Sequence, residues 1–433
     1  MRREGPTLIE RPRSIQATES VAAAARFHPT GPMAAAAAQF HFELALIDPL
    51  EYDYSPSSVV VGDVTGDGRP DVVASLYDVN RTHPYIVRIH EQSPSGALKE
   101  PIQVALQFTD YVNSIGIELA DLDGNGVKEI VVGNDGPDGG LMVIAKTGNR
   151  FLVTAEYPGM AKGTFLAPVD IDGSGHLDIF AQGWEYGADI FIGNGRGVFS
   201  RVDHLNTSYA GYPTVEASDF TADGLADVLV QTGDIVRVYP SGHGPELQSP
   251  FVINLAPFVP YEASGMTVAD MDQDGRPDLV ITDQGDRGIP LPSGVRILYR
   301  GAGNSFSRMQ FLVTTGQEPN DPWGTDTPSA IRVADIDGNG YPDIITMFGG
   351  WRRMGYFLQG PTGFDPLVTM EIQPNPWWNN PYFDNSFDVA DINSDGCPDV
   401  VIADLSSSLR VFYGRNCQPR AKYTGGRLLP RRR

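Results

Sequence analysis

A nine-residue pattern, Asp-x-(Asp/Asn/Thr)-x-(Asp/Asn/Ser)-Gly-x-x-(Asp/Glu), occurs seven times, beginning at Asp63, Asp121, Asp170, Asp219, Asp270, Asp335 and Asp391. Position one is always Asp, position six always Gly, and position nine is Asp except for Glu129. A short apolar run follows every copy, from Val72-Val73 in the first to Val400-Val401-Ile402 in the last. Oxygen donors on alternate residues around a turn that glycine permits make a small cation loop. The apolar run makes that loop open onto a buried strand. The copies start 49 to 65 residues apart. Such internal periodicity overrides a domain count based on length.

Each interval has room for four short strands. In the third, residues 164–170 precede the loop, and 178–183, 188–194 and 197–205 follow it; in the fifth the runs are 266–270, 278–283, 294–300 and 306–313. The run after each loop alternates little, as expected of a strand buried on both faces. The third strand alternates more and is expected further out. No long stretch has helical periodicity, and Gly 48 and Pro 34 suit a turn-rich chain. The expected fold is all-β, a seven-bladed propeller of four-stranded antiparallel blades. A linear β-solenoid is the alternative, but its repeats are usually much shorter. The seventh repeat has no fourth strand after Val411-Phe412-Tyr413, whereas an unassigned alternating run, Phe40 to Leu46, precedes the first. Residues 39–47 are therefore expected to complete the last blade and remove its open edge. The expected division is a flexible leader (1–38), the propeller (39–417) and a basic tail (418–433).

The formal charge is −22, and residues 45–417 alone hold 50 acidic and 21 basic groups, a net of −29. A compact body so charged repels itself unless cations bind. The balance excludes nucleic acid as a partner, since that needs a basic surface. Arg431-Arg432-Arg433 reads as a solvated tail. No 18-residue apolar stretch exists, so no membrane span is expected. No continuous apolar core follows Arg2 and Arg3, so no signal peptide is assigned. Cys397 lies in the seventh loop, and a hairpin turning near 405–408 brings it opposite residues 415–417. A Cys397–Cys417 disulfide would staple the last blade, with two free thiols as the alternative. The bridge implies an oxidising compartment, hence an extracellular, cell-surface or periplasmic location.

The expected metal ligands are Asp63, Thr65, Asp67 and Asp71; Asp121, Asp123, Asn125 and Glu129; Asp170, Asp172, Ser174 and Asp178; Asp219, Thr221, Asp223 and Asp227; Asp270, Asp272, Asp274 and Asp278; Asp335, Asp337, Asn339 and Asp343; and Asp391, Asn393, Asp395 and Asp399. A backbone carbonyl at position seven adds a donor. Hard oxygen ligands in a flexible loop favour Ca²⁺ over Mg²⁺, which demands stricter octahedral geometry. The loops begin like an EF-hand, but no Glu closes them at position twelve. The fifth loop is richest in carboxylates and the third offers only Ser174 at position five, so occupancy is expected to vary. A single copy would read equally well as an Asp/Gly turn without metal; seven copies with the same ligand positions favour up to seven cations.

These loops, with pieces such as IFIGNGRGVFSRV at 190–202, resemble the FG-GAP/VCBS repeats of bacterial surface proteins and of the integrin α-subunit head. The resemblance covers about residues 39–417 and is most specific at the loops. It implies a seven-bladed propeller with Ca²⁺ between the first and second strands of a blade, and extracellular binding. It supplies no ligand, because fold does not dictate function.

With all loops on one rim, the turns between second and third strands and the connectors between blades share the other face. Trp184 and Trp351 fall in such turns, and Trp323, Trp377 and Trp378 in connectors. With Tyr186 and Tyr382 they are the candidate ligand contacts, suited to a carbohydrate or an extracellular protein. Tyr77, His83, Tyr85, Arg352 and Arg353 fall nearby. Plugging of the channel or packing between blades is the equal alternative. The seven histidines show no metal spacing, and neither G-x-S-x-G nor H-E-x-x-H occurs. A polysaccharide hydrolase or lyase is the runner-up, with Glu185, Asp283 and Asp286 as its carboxylates; a non-catalytic scaffold is the third reading.

Overall fold

The computed structural model describes residues 39–418 apart from 51–53, 79–82, 108–114, 135–138, 160, 162, 184–186, 206–212, 243, 245–246, 260–262, 285–291, 315–326, 349–352, 373–385 and 405–407. Seven four-stranded antiparallel sheets form the blades of a propeller. The first blade runs Tyr54–Gly62, Asp71–Asp78, Tyr85–His90 and Ile102–Leu106, each strand pairing with the next. The next five blades repeat this order.

The seventh blade is built from both ends of the propeller. Phe387–Ala390, Asp399–Asp404 and Ser408–Arg415 supply three strands, and His41–Pro49 pairs outside the last, with His41 opposite Arg415 and Pro49 opposite Ser408. Phe40 and Phe42 anchor this clasp. Their rings lie 5.8 and 5.5 Å from that of Tyr356 in the sixth blade, both edge-on. Burying two such rings contributes roughly 2–3 kcal/mol each.

Second strands are buried along their whole length, as in Glu129–Asn134, Asp178–Gly183, Asp227–Thr232, Asp278–Asp283 and Asp343–Phe348. Third strands are nearly as buried: Ala188–Gly193 exposes only Ile192, and that partly. The alternation expected of them belongs to fourth strands such as Arg150–Tyr157, because only the outermost strand lacks neighbours on one side.

Among the described residues, no single core fills the ring. Seven apolar clusters lie one in each seam between adjacent blades, from first–second around to seventh–first. Each blade thus buries its two faces only against its neighbours. The innermost strands leave a channel cavity of about 210 Å³, lined by Val60, Ala167, Glu118, Lys128, Arg332 and Asp388 among others. Among the described residues, no helix is long and apolar enough to cross a membrane.

Candidate metal centres

Every nine-residue repeat joins the first and second strands of its blade, so all seven loops lie at one end of the blades. Position six explains its invariant glycine: φ runs from 82° at Gly68 to 96° at Gly340, a left-handed conformation costly for other residues. Position four is also left-handed in all seven loops, including the non-glycine Ala222, Gln273 and Ser394.

The position-one carboxylate closes the loop by accepting N–H groups of positions five and six, as Asp270 does from Asp274 and Gly275 at 2.9 Å each. The position-five oxygen accepts the N–H of position seven, as in Asn125 from Val127 at 2.7 Å and Asp223 from Leu225 at 2.9 Å. Position nine spans further. One oxygen accepts an N–H near the start of the loop and the other an N–H at the end of the third strand or just past it. Asp178 holds Ile171 at 2.7 Å and Gly193 at 2.8 Å; Asp399 holds Ile392 at 2.8 Å and Gly414 at 2.9 Å. Asp71, Asp227, Asp278 and Asp343 make the same pair of contacts. Glu129 accepts from Leu122 at 2.8 Å.

Burial disfavours the charged form of these position-nine groups. It pushes Asp71, Asp178 and Asp278 up to about 6, and Asp343 and Asp399 up to about 8. The backbone donors oppose the shift, and neighbouring loop carboxylates add to it. Glu129 and Asp227 are raised by burial too.

Among the described residues, carboxylate oxygens from positions one, three and nine converge within 4.8 Å of one another in four loops: Asp121–Asp123–Glu129, Asp170–Asp172–Asp178, Asp270–Asp272–Asp278 and Asp335–Asp337–Asp343. These are the four repeats with Asp at position three. The first, fourth and seventh have Thr65, Thr221 and Asn393 there. Thr65 Oγ1 instead donates to Asp63 Oδ1 at 3.3 Å, and Thr221 Oγ1 to Asp227 Oδ1 at 3.5 Å. Asp274, the one position-five carboxylate among the four converging loops, is not part of its converging set, and arginines engage position five in three loops: Arg69 pairs with Asp67, Arg276 with Asp274, and Arg415 with Asp395 at 3.1 Å. The third loop, poorest by its Ser174, nevertheless brings three carboxylates together.

The four clusters fit a divalent cation. Their donors are hard oxygens, mutual repulsion needs a counter-charge, and among the described residues Asp170 Oδ1 and Asp272 Oδ1 are buried without a hydrogen-bond donor.

Two further features escaped the sequence reading. Position two is apolar in every loop (Val64, Leu122, Ile171, Phe220, Met271, Ile336, Ile392), and each of these side chains enters the seam core shared with the next blade. Their uninterrupted apolar character is the signal that could have found them. Each loop is also clasped by the end of the next blade's third strand, or the turn after it. Lys146 Nζ donates to Thr65 O at 2.9 Å, and the N–H groups of Gly197 and Gly242 donate to Leu122 O and Ile171 O, each at 3.1 Å. Arg300 lies over the Phe220 ring at 4.4 Å, and Gln359 Nε2 donates to Met271 O at 3.1 Å. The Gln418 N–H donates to Asp337 O at 2.7 Å, and Ser394 Oγ donates to Gln92 Oε1 at 3.2 Å, which closes the circle.

The candidate ligand contacts Trp184, Tyr186, Trp323, Trp351, Trp377, Trp378 and Tyr382 lie outside the described residues, as do Arg352, Glu185 and Asp286. Tyr85 is buried, and exposed His83 lies near the Tyr54 ring. Arg353 pairs with Glu371 at 3.1 Å. Asp283 is fully buried at the end of its strand, with Arg296 Nε 2.6 Å from Oδ2. The expected disulfide is present, with Cys397 and Cys417 Cα atoms 5.6 Å apart.

A family model described as FG-GAP-like repeat matches residues 63–132, 170–230 and 270–346. Integrin alpha-5 of Xenopus laevis is 30% identical over 194 residues, covering 39% of this chain; the match spans only 17% of the integrin. A lectin of Agrocybe aegerita, whose structure describes specific recognition of non-reducing terminal N-acetylglucosamine, superposes with a TM-score of 0.52 at 20% identity over 73% of this chain and 80% of the lectin. A rhamnogalacturonan lyase of Bacillus licheniformis covers 86% of this chain and 75% of its own at 15% identity, but its TM-score of 0.33 supports no argument. The chain thus carries FG-GAP-like repeats on a seven-bladed β-propeller, with sequence similarity to an integrin α-subunit.

Proposed function

We propose that this protein is a calcium-stabilised extracellular binding module, and that its ligand is a carbohydrate or a surface protein taken up on the face away from the cation loops. The observation that carries this reading is the commitment of the loop carboxylates to the scaffold. Positions one and nine spend their oxygens on backbone N–H groups of the loop and of the third-strand exit. Carboxylate oxygens of positions one, three and nine also converge on a cation-sized space in four blades. Flexible all-oxygen sites of this kind favour Ca²⁺. The cation ligands would be the position-one, -three and -nine groups, and the metal would supply charge neutralisation that locks each loop between two blades.

A disulfide suits an oxidising compartment, and the similarity to an integrin supports an extracellular setting. The likeness to a lectin makes glycans ending in N-acetylglucosamine the first probes to use. The calcium-loaded full chain applied to a glycan array is expected to retain a defined glycan, with retention lost in Trp377→Ala/Trp378→Ala. A blank array at high protein concentration would remove the carbohydrate reading and leave the surface-protein one.

A further inference from the structure

The clasps on the cation loops share one mechanical feature, with one exception. In the first six blades the clasping residue sits at or beyond the end of the third strand, and the chain then continues into the fourth strand of the same blade. A hairpin therefore holds it in place. The seventh blade has no such hairpin, because its fourth strand arrives from His41–Pro49. Yet the chain leaving Arg415 still reaches the sixth loop. Asn416 turns it in a left-handed conformation (φ 61°), and Gln418 donates its N–H to Asp337 O at 2.7 Å. The approach is close. A Cβ on Gly338 would stand 2.0 Å from Gln418 O, so only glycine admits the segment.

What replaces the missing hairpin is covalent. Cys417, the residue before Gln418, is bonded to Cys397, which occupies position seven of the seventh loop. The disulfide thus fixes the donor that caps the position-three residue of the sixth cluster, Asp335–Asp337–Asp343. We propose that the Cys397–Cys417 disulfide sets the cation affinity of the sixth loop, making that centre sensitive to thiol redox state while those of the second, third and fifth blades are not. This rests on the reading that the loops bind Ca²⁺. Reduction by a dithiol delivers two electrons and two protons to the S–S bond, giving two cysteine thiols and a cyclised disulfide of the reductant. Gln418 then loses its tether, Asp337 O loses its donor, and Asp337 is no longer held against Asp335 and Asp343.

The test is equilibrium dialysis of the full chain against ⁴⁵Ca²⁺, oxidised and after dithiothreitol, with circular dichroism confirming that the blades persist. Reduction is expected to weaken one site by about three- to tenfold, the scale of one lost hydrogen bond, and to leave the other sites unchanged. Cys397→Ser/Cys417→Ser should reproduce the loss without reductant. Gln418→Pro deletes the donor N–H with both cysteines intact and should reproduce it as well, so it decides the matter where the reduced protein unfolds. In Asp337→Asn, which lacks the sixth centre, reduction should change calcium binding no further. Superposable isotherms for the oxidised, reduced and Gln418→Pro proteins overturn the proposal but leave the metal reading intact. An oxidised protein that binds no calcium overturns both.

Discussion

Gln359 and Asp343 are joined by a 2.6 Å hydrogen bond from backbone N–H to Oδ1, across 16 residues of the sixth blade. The other oxygen of Asp343 accepts from Ile336 at 2.8 Å, and the Gln359 side chain reaches Met271 O in the fifth blade. One buried carboxylate therefore organises its own loop, the exit of the third strand and the grip on the preceding blade. Asp343→Ala leaves the buried Ile336 N–H and the part-buried Gln359 N–H without this acceptor and is expected to cost about 2–4 kcal/mol. Urea unfolding with EDTA present checks this. A variant as stable as the parent without metal would mean that position nine serves the cation alone.

The raised position-nine carboxylates fix the sign of the pH dependence. Their folded-state values lie above the unfolded value, so the stability they contribute to the metal-free protein is fully present below about pH 4. It is lost as pH rises through about 6 for Asp71, Asp178 and Asp278, and through about 8 for Asp343 and Asp399. Bound Ca²⁺ favours the ionised forms and offsets the loss. Melting temperature in EDTA should therefore fall from pH 5 to pH 8, and the gain on adding Ca²⁺ should grow over the same range. An increment that shrinks with pH would contradict this.

The position-three residue predicts stoichiometry. Four loops bring three carboxylates together, and the three with Thr or Asn at that position do not. Dialysis followed by elemental analysis should find about four tight calcium ions per chain, with Asp272→Asn removing one. Seven equivalent sites would show that the residue at position three does not select.

Ala222 holds a left-handed conformation at φ 63° on an exposed turn. Relief of that strain by Ala222→Gly is worth roughly 1–2 kcal/mol, and the added chain entropy of glycine takes back about 0.5–1. A net gain of about 0.5–1 kcal/mol is expected by chemical denaturation. The same substitution made at Ala217, in a strand, should destabilise instead.

The clasp should be separable from the metal. Phe42→Ala removes a buried ring that packs on Phe40 and Tyr356, at an expected cost of about 3 kcal/mol with or without EDTA. Equal melting curves for variant and parent would show that blade closure does not depend on this anchor.

Much of this architecture was legible because seven copies of one loop mark their own register. Residues 39–47 were expected as the closing strand and His41–Pro49 forms it; Cys397 and Cys417 left open a bridge or two thiols, and the bridge is found. The role of position nine was less legible. Which N–H meets Asp227 Oδ1, namely that of Ser241, depends on strand register and turn length, which a linear pattern does not encode. Position two was overlooked because a lone apolar residue in an acidic loop looks incidental until seven seams are seen to receive one each. The uneven convergence of carboxylates was not legible for a related reason. Ser174 drew attention to position five, whereas the turn points that side chain at the N–H of His176.

The blade stitched from both ends also sets an order of events during synthesis. His41–Pro49 leaves the ribosome long before Ser408–Arg415, the strand it pairs with. Until the last blade is translated, a nascent chain carries an unmatched strand at one end and an open first-blade face, both exposed to other chains. Ring closure is then a late step, because pairing of the clasp strand and packing of the seventh seam both wait for the last blade.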